Sequence, residues 1–206
     1  MPEKRKFSMK SAKSKTSRSL SASTLTLASP ALALLLLAGL SPASADQGQD
    51  NRAPAVPAAL QVPDGNKVQF HAYAVGVQIY TCKQTGTDAV GAPVYGWVFK
   101  APVATLYDSD GNVVGRHYAG PTWESESGST VVGARVAGVT VNATAIPWLL
   151  LKAKSSEGPG IFANISYIQR VHTAGGLAPA TECDATDVGM EMSVPYTAEY
   201  FFYREK

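Results

Sequence analysis

The sequence predicts an all-β fold, a single-domain sandwich or barrel of roughly ten short strands. Beyond residue 66, apolar and polar side chains alternate with a period of two along much of the chain, as they do in half-buried strands. Many of the 18 glycines lie between these alternating segments, where turns are needed. No segment has the apolar spacing of a long amphipathic helix.

The first 45 residues have the pattern of an export signal. Seven basic residues precede an unbroken apolar run at 31–40, and Ala43-Ser44-Ala45 then provides a small-x-small cleavage pattern. We therefore expect cleavage before Asp46, no transmembrane segment in the mature chain, and a secreted or periplasmic protein. The alternative is a retained membrane anchor, because a mildly apolar run that begins near Leu20 is long enough to span a bilayer.

Loss of this segment would change the charge of the protein. The full chain has 18 basic and 16 acidic residues and a net charge of +2. Seven basic residues and one acidic residue lie in the first 45, which leaves 11 basic and 15 acidic residues and a net charge of −4. A mildly acidic domain without a basic cluster has no electrostatic feature that would attract nucleic acid, so we expect no nucleic-acid partner.

The two cysteines, Cys82 and Cys183, both lie in the expected mature chain. Because exported proteins fold in an oxidising compartment, this pair predicts one disulfide; two buried free thiols are the alternative. A bridge across a loop of about 100 residues would stabilise the fold by about 4–5 kcal/mol.

Residues 46–66 are expected to form a flexible or extended lead-in rich in alanine and proline, ending at the turn Pro63-Asp64-Gly65-Asn66. Residues 67–206 then form the single all-β domain. Its first two predicted strands are 68–73 and 77–82, with Gly76 as a bulge between them.

The remaining strands follow from the same alternation. After a predicted loop at 83–93, Tyr95, Trp97 and Phe99 share one face of a strand, and a hairpin turns at 108–112. Trp97 and Trp148 are both assigned to the core. Aromatic residues lie on both faces of the last strand, which therefore has to be paired or covered. The later strands are predicted at 130–136, 138–143, 146–153, 161–173 (where a helix is the alternative), 188–194 and 197–203.

The segment 115–129 concentrates the side chains best suited to a functional site: His117, Tyr118, Trp123, Glu124 and Glu126. If the domain has a functional pocket, we expect this segment to line it. The structural alternative is a histidine and two aromatic rings packed at strand ends, with solvated glutamates on a loop.

Two functions remain open for these residues. The first is a binding or structural module outside the cytoplasm, in which Tyr118 and Trp123 contact a surface polysaccharide or another small ligand. The second is a small hydrolase or metal-dependent enzyme that uses His117 with Glu124 or Glu126. The sequence contains no recognised catalytic, metal-binding or cofactor-binding motif, so we assign no metal, no cofactor and no catalytic residue.

A second set of polar residues lies near the end of the chain. If 161–173 is a strand, Arg170 and His172 share one face. We expect them to form a structural ion pair with Asp184.

Several segments taken together resemble one family. They include Gly76 to Cys82, Gly115 to Ser129, Pro147-Trp148-Leu149-Leu150 and Tyr167-Ile168-Gln169-Arg170-Val171, in that order. The chain is similar over about residues 57–203 to secreted proteins of bacteria and fungi that make up domain of unknown function family 3455. The resemblance implies export and a single domain, and it implies no activity.

Overall fold

The computed structural model describes residues 51–206, so the expected signal segment and its cleavage site lie outside the described residues. The described part of the chain forms eight antiparallel strands that close into a barrel in sequence order, with β8 paired to β1. The all-β prediction is confirmed, and the closed sheet is a barrel. The strands are β1 Asn66–Thr87, β2 Pro93–Tyr107, β3 Val113–Tyr118, β4 Thr122–Ser125, β5 Thr130–Val139, β6 Trp148–Glu157, β7 Tyr167–Gly175 and β8 Glu191–Glu205. Two single turns of 3-10 helix occur at Ala58–Leu60 and Ala185–Asp187.

Among residues 51–206, no helix is long and apolar enough to cross a membrane.

The strands are fewer and longer than predicted. β1 is one strand of 22 residues, and the predicted bulge at Gly76 is wrong, because Gly76 pairs in register with both Ala104 and Tyr196. A Cβ atom at this position would lie 2.1 Å from the carbonyl oxygen of Val103. Glycine is therefore needed for the close approach of β1 and β2. In the same way, the strands predicted at 188–194 and 197–203 are parts of a single strand, β8.

The ambiguous segment 161–173 is a strand only in its second half. Residues 161–164 form a turn, and β7 begins at Tyr167. Phe162 and Ile165, from this region before β7, are buried in the barrel core, which explains the apolar character that extended the prediction.

Large aromatic side chains fill much of the barrel interior. Phe162 packs against Phe70 and Phe202, with ring centroids 6.1 and 4.6 Å apart respectively, and Trp123 contacts Phe202 edge to face at 5.9 Å. An eight-stranded barrel is just wide enough for side chains to fill it or for one small ligand to enter. The space left for a ligand therefore depends on how much of the barrel interior these rings fill.

The outer face of β8 is covered by the lead-in segment. Val56 and Val62 pack against a cluster that contains Phe201 and Tyr203, while Leu60 is fully buried. The Nε2–H of Gln169 donates to the Leu60 carbonyl oxygen at 2.7 Å. Part of the segment expected to be flexible or extended is thus held against the barrel. The prediction that the aromatic strand is paired and covered is confirmed.

The predicted disulfide between Cys82 and Cys183 is confirmed, with the two Cα atoms 6.1 Å apart. It ties β1 to the long connection between β7 and β8. Trp97 lies beside the same connection, where its indole N–H donates to the carbonyl oxygen of Thr181 at 2.8 Å. Its assignment to the core is therefore wrong. Trp148 is partly buried and packs in the cluster outside the barrel.

Candidate functional site

The hairpin of β3 and β4 divides the predicted site residues between two faces of the sheet. His117 pairs with Trp123, and both are buried inside the barrel. Arg116 pairs with Glu124 in the neighbouring register position, and since side chains alternate along a strand, these residues and Tyr118 lie on the outer face. The five predicted residues therefore do not form one cluster.

On the outer face, Glu124 is held in a surface network. The guanidinium of Arg116 donates to its carboxylate at 2.9 Å, and the hydroxyl of Tyr118 donates at 2.7 Å. The bond from Arg116 and then that from Tyr118 keep the pKa of Glu124 below its usual value. Glu126 is exposed in the turn after β4. Neither glutamate is placed to act with His117.

Inside the barrel, His117 is fixed as a neutral ring. It stacks on Trp123 with centroids 4.3 Å apart, and its Nδ1 lies 2.8 Å from the carbonyl oxygen of Thr122. A carbonyl oxygen can only accept, so Nδ1 carries the hydrogen and Nε2 carries the lone pair. Burial lowers the pKa of His117 to about 3, which keeps the ring uncharged at neutral pH. Within residues 51–206, no three His, Cys, Asp or Glu side chains are grouped to hold a metal ion.

His117 and Trp123 line a cavity of about 160 Å³ that opens at the barrel end near the β3–β4 turn. Every strand contributes to its wall. The floor and sides are mainly apolar and include Trp123, Leu151 and Tyr200, while exposed Phe99 and Arg135 lie at the rim. The lining residues are Gln78, Phe99, Lys100, Pro102, His117, Gly120, Pro121, Trp123, Arg135, Leu149, Leu151, Arg170 and Tyr200.

Arg170 brings a positive charge into this cavity. Its Nε–H and Nη2–H donate to the carbonyl oxygen of Pro147 at 3.2 and 2.8 Å. No carboxylate of residues 51–206 forms an ion pair with Arg170 or Arg135. The predicted ion pair with Asp184 is wrong, because Asp184 caps the second 3-10 turn by accepting from the Thr186 N–H.

The prediction that His172 faces the same way as Arg170 is also wrong. The pairing of β7 with β8 shifts register between Val171 and Ala174, and His172 adopts a φ of 48°. This irregularity turns His172 to the outer surface, where its Nδ1 lies 3.1 Å from Glu199. Of these two residues of β7, Arg170 lines the cavity and His172 does not.

Among residues 51–206, four buried polar atoms at the cavity or next to it make no hydrogen bond of good geometry: Gln78 Nε2, Trp123 Nε1, and the hydroxyls of Tyr196 and Tyr200. Three of these groups still lie close enough to interact, since Tyr196 interacts with both Gln78 and Tyr200, and Tyr200 interacts with Arg170. Burial raises the pKa of both tyrosines, while the charge of Arg170 opposes the increase, so both phenols stay protonated. All four groups can donate a hydrogen bond. Unpartnered buried polar groups are rare and cost about 1–3 kcal/mol each. The two hydroxyls can accept from their neighbours, but the four groups and Arg170 together carry more donor hydrogens than acceptors.

The profile of the family described as "Protein of unknown function (DUF3455)" matches residues 63–204. The chain belongs to this family. The match covers the barrel from β1 to all but the last residue of β8, and so contains every residue that lines the cavity. No curated protein and no solved structure matches the chain.

The cavity of this DUF3455 protein contains several residues that the sequence did not identify as site residues. Gln78, Arg135 and Tyr200 lie on strands that were assigned only to packing. One signal was present for Arg170: it is a charged residue on the same face of β7 as the fully buried Ile168, two positions earlier. A charged residue at an inward position is a general sign of a polar site inside a barrel.

Proposed function

We propose that the barrel cavity binds a small organic anion, whose carboxylate is held by Arg170 and the adjacent buried donors while its apolar part fills the cavity. The observation that carries this proposal is the surplus of buried donors around the cavity. It favours the binding module over the enzyme of the sequence analysis, because His117 and the two glutamates are on different faces.

The donor set suits a carboxylate. An ionised carboxylate accepts through two oxygens with about four lone-pair positions, and an arginine can donate to both oxygens. Arg170, Tyr200 and Gln78 all line the cavity, and Tyr196 lies beside them. A bound carboxylate would supply the acceptors that these groups lack and would offset the unpaired charge of Arg170.

The size of the cavity limits the apolar part of the ligand. An apolar cavity of about 150 Å³ holds one benzene molecule, so about 160 Å³ accommodates one ring or a chain of about six carbons. Leu149, Leu151 and the ring of Trp123 provide apolar contacts. A polysaccharide platform is not supported, since Trp123 is buried and Tyr118 lies on the opposite face.

The test compares an acid with its matched amide. Isothermal titration calorimetry at neutral pH with benzoate and hexanoate is expected to show binding of at least one of them. Benzamide and hexanamide should bind at least about tenfold more weakly, because they lack the charge that Arg170 recognises. The proposal is wrong if neither acid binds, or if the amides bind as tightly as the acids.

Arg170→Met is expected to weaken binding of the acid by about 10–100-fold, the value of a charge-assisted hydrogen bond. The matched control is Arg116→Met, which removes an arginine from the outer face and should leave the affinity unchanged. Thermal unfolding of both variants checks that they are folded. Equal losses of affinity in the two variants would contradict a specific role for Arg170.

We also propose that the protein acts outside the cytoplasm. The export pattern of residues 1–45 and the disulfide of Cys82 and Cys183 support this location, because disulfides persist mainly in oxidising compartments. The intact mass of the protein recovered from the exported fraction is expected to correspond to a chain that begins at Asp46. A full-length mass in the membrane fraction would establish a retained anchor instead.

A further inference from the structure

The inner face of the β3–β4 hairpin also presents a hydrogen-bond acceptor to the cavity. The Nδ1–H of His117 donates to the Thr122 carbonyl oxygen, so the lone pair is on Nε2. Among residues 51–206, no side chain or backbone group donates to this nitrogen. The ring of Tyr200 contacts His117 edge to face at 5.2 Å, and its hydroxyl interacts with Tyr196 and Arg170 and not with His117.

Three features keep this acceptor in place. The ring is 3% exposed, it stacks nearly parallel on Trp123, and its other nitrogen is tied to the backbone. The ring therefore has little freedom to turn over or to move out of the cavity wall. An acceptor that is held in a fixed position in the cavity wall favours a ligand with a donor at a matching position.

The donor that fits is a neutral hydroxyl. An ammonium group could also donate to Nε2, but it would lie in a cavity that already contains the charges of Arg170 and Arg135, with no carboxylate of residues 51–206 paired to either. Like charges in a partly enclosed site repel strongly. A hydroxyl avoids this repulsion.

We propose that the ligand is a hydroxylated monocarboxylic acid, whose hydroxyl donates to Nε2 of His117 while its carboxylate is bound by Arg170. This inference rests on the proposed function, since it adds a second contact to the same bound anion. It makes His117 a specificity-determining residue, which selects hydroxylated acids over acids of similar size without a donor.

The first test uses the unmodified protein and three kinds of probe: benzoate, the 3- and 4-hydroxybenzoates, and the 3- and 4-fluorobenzoates. Fluorine is close to a hydroxyl in size but cannot donate. At least one hydroxybenzoate is expected to bind about tenfold more tightly than benzoate and than the fluorobenzoate of the same substitution, the value of one hydrogen bond. If benzoate binds and neither hydroxyl isomer binds more tightly, the inference is wrong while the proposed function stands. If no acid binds, both are wrong.

The second test identifies the acceptor. The chain contains three histidines, so ¹⁵N-histidine labelling gives a simple spectrum. The Nε2 resonance of His117 is expected to shift when the tighter hydroxybenzoate is added and not when its fluoro counterpart is added. His117→Phe, which retains a ring on Trp123, should remove the preference for the hydroxyl, so that the ratio of the hydroxybenzoate and fluorobenzoate affinities falls to about one whatever the affinity for benzoate itself. If this resonance does not shift, or if a folded His117→Phe variant retains the full preference, His117 is not the acceptor.

Discussion

Replacing both Cys82 and Cys183 with alanine is expected to lower the free energy of unfolding by about 4–5 kcal/mol. The bridge closes a loop with a sequence separation of 101 residues, and the unfolded chain gains most of the freedom that this constraint removes. Alanine avoids placing unpartnered hydroxyls at positions where both side chains are buried. Urea unfolding of the variant and the unmodified protein measures the difference.

Reduction of the unmodified protein provides the control for this prediction. With dithiothreitol present, it should unfold at nearly the same urea concentration as the double variant. If the double variant loses less than about 1 kcal/mol, the connection between β7 and β8 is held by its other contacts, such as the bond from Trp97 to Thr181, and the disulfide contributes little.

The second large effect is expected at the floor of the cavity. Trp123→Ala should lower the free energy of unfolding by about 3–5 kcal/mol, because Trp123 is 1% exposed and contacts the rings of His117, Tyr200 and Phe202. Trp97→Ala is the matched control, since it removes the same side chain from a partly exposed position on the barrel wall. Chemical unfolding should show a clearly smaller loss for Trp97→Ala. Equal losses would mean that the ring cluster does not dominate the core.

The expected cost at Trp123 also bears on how the site is studied. Trp123→Ala would both destabilise the core and change the floor of the cavity. A loss of binding in this variant could therefore not be assigned to the site rather than to unfolding. Arg170 is the better position, because its side chain lines the cavity and is held by few contacts: two donations to the carbonyl oxygen of Pro147 and an interaction with the hydroxyl of Tyr200.

Local patterns predicted much of the fold. Alternation of apolar and polar residues identified most of the strands, and the export pattern, which implies an oxidising compartment, predicted the pairing of Cys82 with Cys183. Strand number was overestimated because a break was assigned at Gly76 in β1 and another at residues 195–196 in β8. At Gly76 the absent side chain instead permits close contact between two strands, a requirement that comes from residue Val103 on the neighbouring strand. The residues around Gly76 in the sequence do not show which strand will lie beside it or how closely.

The site was predicted only in part for a related reason. His117 and Trp123 line the cavity, whereas Tyr118 and Glu124 face outward, and a role of any of them in binding stays a prediction. The turn at Gly120 and Pro121 sets which residues of β3 and β4 share a face, and a shift of one residue would reverse the assignment. Gln78, Arg170 and Tyr200 reach the cavity only because the barrel closes, which joins strands that are far apart in sequence.

A crystal structure of the protein soaked with benzoate tests the central proposal most directly. The carboxylate is expected within hydrogen-bond distance of the Arg170 guanidinium and of at least one of the buried donors Gln78 Nε2 and Tyr200 OH. The ring should lie against Trp123 and Leu149 inside the barrel. Benzoate bound only on the outer surface, or bound in the cavity with its carboxylate directed away from Arg170 toward solvent, would contradict the account.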